Sequence, residues 1–97
     1  MNIVKKLKLS ELNEYAENFH VPVVCNKTGV KLFKTVKKYK PKTVLEIGTA
    51  IGFSGTIILS AYEQCKLTTL EINKERADIA VKTFKEFGLS NKVNLIT

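Results

Sequence analysis

The stretch Val44-Leu45-Glu46-Ile47-Gly48-Thr49-Ala50-Ile51-Gly52-Phe53-Ser54-Gly55 limits what this chain can fold into more than any other part of it. A short β-branched and aliphatic run breaks at once into a glycine-punctuated turn, and an apolar segment of helical pattern follows. Such side chains favour a pleated strand, and glycine tolerates the positive φ of a tight strand-to-helix turn. The first amides of the helix then lie beside the end of a sheet, free to donate hydrogen bonds to a ligand.

The rest of the chain repeats this alternation. Strands are expected at Thr43–Ile47, at residues 66–72 and at residues 92–97. Between the first two, a helix carries Ile57, Ile58 and Ala61 inward. Between the last two, residues 74–87 present Ala77, Ala80, Val81, Phe84 and Phe87 as one stripe, with Gly88 at the C′ position. Two helices lead in. Leu12, Tyr15, Ala16 and Phe19 recur at helical spacing behind a Ser10 cap, and Pro22 stops them. Residues 28–39 set Gly29, Leu32, Phe33, Val36 and Tyr39 against an opposite face of Lys27, Lys31, Lys34 and Lys38. Strand-helix alternation of this kind means right-handed crossovers and a parallel sheet, an α/β fold in one domain over residues 1–97.

Charge narrows the partners. The 97 residues hold 16 basic and 9 acidic groups, for a net charge of +7. Ten Lys and three Glu lie in residues 1–42, so all the excess precedes the first strand. A basic front end attracts a polyanion such as RNA, or it is a solvated surface. All but one of the basic residues are Lys, whereas phosphate recognition favours the forked donors of Arg, so the solvated surface leads. Cys25 and Cys65 stand far apart beside a single His, which excludes a disulfide scaffold or a zinc site. No apolar run nears the ~18 residues of a membrane span. A reduced, cytoplasmic domain with no membrane partner is expected.

Glu71 follows the second strand, where an acidic side chain can accept hydrogen bonds from both hydroxyls of a ribose. The turn departs from Gly-x-Gly-x-x-Gly, with Ala50 at the middle position, which disfavours NAD. Glycine-rich β-α turns also occur in α/β proteins that bind no nucleotide. His20, at a helix end, reads as a surface or capping group rather than a base.

Glu46-Ile47-Gly48-Thr49-Ala50-Ile51-Gly52-Phe53-Ser54 resembles the first motif of S-adenosylmethionine-dependent O-methyltransferases of the catechol O-methyltransferase-like group. The resemblance is strongest to bacterial members, including those that methylate 5-hydroxyuridine in tRNA. It extends through Tyr15-Ala16, His20-Val21-Pro22-Val23-Val24, Lys40-Pro41-Lys42, Leu70-Glu71-Ile72-Asn73 and Gly88-Leu89-Ser90-Asn91-Lys92-Val93. It implies a Rossmann-like methyltransferase fold with the three strands in the order 3-2-1.

The resemblance also implies a cofactor site. Gly48 lets the backbone pass the methionine end of S-adenosylmethionine, Ser54 bonds its carboxylate, and Glu46 orients that end of the pocket. Glu71 holds the ribose hydroxyls, and Ile72 and Asn73 border the adenosine. Val24 falls where bacterial relatives carry Met beside the cofactor. The Mg²⁺ ligands and substrate-facing loops of the family lie beyond Thr97, so the chain is expected to be an amino-terminal half, inactive alone. The alternative is a non-catalytic half-fold that binds nucleosides or self-associates. Either way, Val44, Leu45 and Ile47 are expected on an open strand edge, with Ile57, Ile58 and Phe33 losing part of their cover, which favours a homo-oligomer.

Overall fold

The structure, a computed structural model, describes Glu14 and residues 26–97. The expected first helix with its Ser10 cap, together with His20, Val24 and Cys25, lies outside the described residues.

Helix α1 (Asn26–Tyr39) begins two residues ahead of its expected start. Val36 is buried, Leu32 and Phe33 are half-buried, and Gly29 is buried against Ile57. Tyr39 departs from the expected face. It is 71% exposed in the last turn, where its ring carries the Lys38 ammonium 5.2 Å from the centroid. The helix stops because Lys40 adopts a left-handed φ of 49°, its N–H donating to the Val36 carbonyl, and Pro41 cannot continue the ladder.

Strands β1 (Thr43–Ile47), β2 (Lys66–Leu70) and β3 (Val93–Ile96) form a parallel sheet in the order β1-β2-β3. This is the expected topology. β2 ends at Leu70, two residues early, because the Glu71 side chain takes backbone amides from two neighbouring turns. A single 3-10 turn, Ser90–Lys92, leads into β3.

Helix α2 (Phe53–Ala61) and helix α3 (Lys74–Glu86) close one face of the sheet. The core joins Ile58 and Leu59 of α2 to Leu67 of β2, to Ala80 and Phe84 of α3, and to Phe87 and Leu89 beyond it. Gly55 makes this packing close, since a Cβ there would stand 2.9 Å from both Leu67 and Phe84. Val81 is 53% exposed rather than part of the stripe. At roughly 100° per residue it lies about 110° from the line through Ala80, Thr83, Phe84 and Phe87. Asn73 caps α3 by accepting from the Arg76 N–H, and Gly88 ends it at φ 70°.

The cover on α2 differs from expectation. Ile57 and Ile58 are buried, because α1 packs across α2. The uncovered surface is instead the other face of the sheet. Residues alternate along β1, so Val44 and Glu46 turn toward the helices while Leu45 and Ile47 are 65% and 77% exposed. Ile96 of β3 is exposed as well.

Candidate functional site

Two carboxylates stand at the ends of neighbouring strands, each held by a different kind of donor. Glu46 lies opposite Thr69 in the parallel register, on the helix-covered side of the sheet. The Thr69 hydroxyl donates to Glu46 Oε1 at 2.8 Å, and the Ser54 hydroxyl donates to Oε2 at 2.5 Å. Thr49 and Thr69 are buried, with their hydroxyl oxygens 2.6 Å apart. The Thr69 proton is already directed at Glu46, so Thr49 is the donor in that pair. Burial pushes the Glu46 carboxyl above its usual 4.5, and the bonds from Ser54 and Thr69 oppose that rise only in part.

The turn from β1 to α2 takes unusual backbone conformations. Gly48, Ala50 and Gly52 have φ of 91°, 50° and 90°. The amides of Gly48 and Thr49 both donate to the Leu70 carbonyl, at 2.8 and 3.0 Å, which straps the turn to the end of β2. A left-handed alanine costs roughly 1–2 kcal/mol. Its amide donates to Glu71 Oε1 at 2.7 Å, which offsets that strain. Glu71 Oε2 accepts the Asn73 N–H at 2.9 Å. One buried side chain therefore ties the turn after β1 to the turn after β2. A Cβ on Gly48 would meet nothing within 4 Å, so this part of the turn faces open space.

The expected residues fall into two groups. Glu46 and Ser54 meet through a hydrogen bond, with Gly48 on the same turn. Glu71, Ile72 and Asn73 form the second turn, where Ile72 is 96% exposed and the Asn73 side chain is used as a helix cap. Val24 is outside the described residues. Thr49, Thr69 and Ala50 were not anticipated as site residues. The usable sign was a polar pair, Thr68-Thr69, inside an otherwise buried-type strand. Acceptor-rich carboxylates on two strand ends, with the first amides of α2 between them, can hold a ligand bearing hydroxyls at one end and charged groups at the other.

Comparisons with known proteins agree with this fold. A family model described as O-methyltransferase matches residues 2–97. A protein of Arabidopsis thaliana described as a caffeoyl-CoA O-methyltransferase is 27% identical over 95 residues, covering 97% of this chain and 40% of its own length. A Staphylococcus aureus structure described in the same terms superposes with a TM-score of 0.84 at 31% identity, covering 91% of this chain and 42% of that one. An O-methyltransferase from Bacillus cereus, solved with S-adenosylhomocysteine (SAH), has a TM-score of 0.80 at 25% identity, over 91% and 41% of the two chains. The chain thus spans about 40% of the length of these relatives. With nearly every residue inside the family match and the fold shared, the chain belongs to the O-methyltransferase family.

Proposed function

We propose that this chain forms the cofactor-binding part of an O-methyltransferase that takes S-adenosylmethionine as its methyl donor. The observation that carries the reading is Glu71, which spans the turns after β1 and β2 beside the open side of Gly48. Each Glu71 oxygen uses one acceptor site on a backbone amide and keeps another, which suits two ribose hydroxyls. Ile72, exposed beside it, offers an apolar surface for the adenine, and Asn73 borders it. Gly48 gives the methionine end room to approach the backbone, and Ser54 and Glu46 receive that end. Val24 would add an apolar contact. S-adenosylmethionine supplies a methyl group on a sulfonium, and the contribution of this chain is to hold that donor in a fixed orientation. An O-methyltransferase of Streptomyces achromogenes, solved with S-adenosylmethionine, supports the ligand class at 25% identity.

The acceptor is a hydroxyl, on a small molecule or on hydroxyuridine in tRNA. The tRNA choice draws on α1 and the segment after it. Residues 26–42 contain seven Lys and no acidic residue, all seven exposed. Lys27, Lys31, Lys34 and Lys38 make one stripe about 16 Å long. Gly29, two residues from Lys27, touches Ile57, three residues beyond Ser54. The stripe lies on the face of α1 opposite Gly29, so a phosphate backbone on it would run along the outside of the helix that packs on α2. A reducing, cytoplasmic setting fits the free, buried Cys65. The resemblance implies Mg²⁺ for the longer family members; among the described residues no group of three or more His, Cys, Asp or Glu is placed to hold a metal ion. Among those residues no helix is long and apolar enough to cross a membrane.

A second reading, a self-associating module without catalysis, is favoured by the exposed Leu45, Ile47 and Ile96 on one sheet face. Two such faces meeting would form a homo-oligomer by hydrophobic burial. Titration of S-adenosylmethionine alongside light scattering separates the readings. Saturable binding of one cofactor per chain supports the first, and assembly without cofactor binding supports the second.

A further inference from the structure

Ser54 has one hydroxyl proton, and that proton already points at Glu46. The Thr69 proton points at the same carboxylate, and Thr49 donates behind it. All three hydroxyls are thus oriented toward Glu46, and toward any incoming group Ser54 offers only lone pairs. A ligand carboxylate brought to Ser54 Oγ meets an acceptor facing an acceptor.

We propose that seating a carboxylate-bearing ligand on Ser54 loads one proton from solvent onto Glu46. The inference rests on the reading of Ser54 as the receiver of the cofactor's carboxylate. The atoms balance simply. The Ser54 O–H swings from Glu46 Oε2 to the ligand carboxylate, Glu46 takes up H⁺, and the new Glu46 O–H donates back to Ser54 Oγ. Thr69 continues to donate to Oε1 throughout. No covalent bond to carbon, nitrogen or sulfur changes. Two carboxylates sharing one hydroxyl carry a like-charge penalty, which the ligand's own α-ammonium reduces and protonation of Glu46 removes. Glu46 is thereby a positioning residue, acting through Ser54.

Among the described residues, the surroundings leave Glu46 as the group that accepts the proton. α2 contributes no titratable side chain, and β1 contributes no other. β2 contributes Lys66 at its far end, paired in register with Thr43. The turn after β2 contributes Glu71, whose oxygens hold the Ala50 and Asn73 amides. The lysines of α1 sit on its exposed face. Burial has already made the ionised form of Glu46 costly, which favours uptake.

The test is calorimetric titration of SAH into the chain at pH 7, in phosphate and in Tris. The difference in heat between buffers of unlike ionisation enthalpy counts protons. The wild type shows net proton uptake on binding SAH, read as a heat that differs between the two buffers. Glu46→Gln, whose amide can donate to Ser54 Oγ without a proton from solvent, takes up none whatever its affinity for SAH. Methylthioadenosine, which lacks the amino-acid end, binds without uptake. Ser54→Ala, should the glutamine variant fail to fold, binds SAH more weakly and takes up none. Wild-type binding with equal heats in the two buffers overturns the proton coupling alone. Uptake that persists in Glu46→Gln, or with methylthioadenosine, overturns it too. Absence of any SAH binding by the wild type overturns the cofactor reading and this inference together.

Discussion

The Glu71 carboxylate accepts the Ala50 amide at 2.7 Å across 21 residues of sequence, joining the ends of two parallel strands through a single side chain. Its other oxygen accepts the Asn73 amide, so the same group shapes both walls of the proposed pocket. Removing it has two effects that different measurements separate. Glu71→Ala is expected to weaken SAH binding by about 1.5–3 kcal/mol, the value of charge-assisted hydrogen bonds to the ribose. It also releases the left-handed Ala50, which hydrogen exchange at that amide reports as lost protection. Glu71→Ala with unchanged affinity would remove the ribose assignment.

Gly48 and Gly55 are predicted to fail for opposite reasons. A Cβ at Gly48 meets nothing within 4 Å, so the cost of Gly48→Val to the fold is backbone strain at φ 91°, roughly 1–3 kcal/mol. Circular dichroism should show helix content retained while cofactor binding is lost. Gly55→Ala drives a methyl to 2.9 Å from Leu67 and Phe84 and should destabilise by about 1–3 kcal/mol. Its binding at low temperature should survive. Loss of fold in Gly48→Val would make that glycine structural.

Glu46 gives the stability of the chain a pH dependence of definite sign. Its carboxyl is raised above 4.5 by burial, so the folded state holds the proton more tightly than the unfolded chain does. The associated stability is fully present below 4.5 and is lost as pH rises through the folded value. Glu46→Gln removes that dependence. The variant's melting temperature relative to wild type should therefore rise between pH 4 and pH 7. A difference constant across that range would contradict the assignment.

The α1 stripe makes a prediction about salt. Replacing Lys31 and Lys34 by Glu should weaken tRNA binding at every sequence tested and flatten its salt dependence. Each phosphate contact removed lowers the slope of log K against log salt by about 0.7–0.9. Cofactor affinity should not change, since both side chains are exposed on the outer face of α1. Binding of RNA with no salt slope, or with none lost in the double variant, would return the lysines to the role of solvated surface.

Much of this molecule is legible in sequence where the signal is local. β1 occupies Thr43–Ile47 as expected, and the strand order follows from helices alternating with strands. Glu71 is read from its place after the second strand, whereas Glu46 and Ser54 are expected as site residues only through the family resemblance of their motif. What is not legible depends on neighbours far along the chain. Thr69 matters because parallel register sets it beside Glu46, 23 residues away. Ile57 and Ile58 are buried by α1, whose packing across α2 no periodicity in α2 reveals. Tyr39 sits at the edge of its apolar stripe, where a few tens of degrees decide exposure, and Val81 lies well off the line of its own.

The most direct test of the central claim is a titration of the isotope-labelled chain with SAH, followed residue by residue through its backbone amide resonances. The account predicts saturable shifts at Gly48, Ala50, Ser54, Ile72 and Asn73, the two turns that Glu71 joins, and none along Leu45 and Ile47. Saturation with no shift at those five amides, or shifts confined to the exposed sheet face, would contradict it.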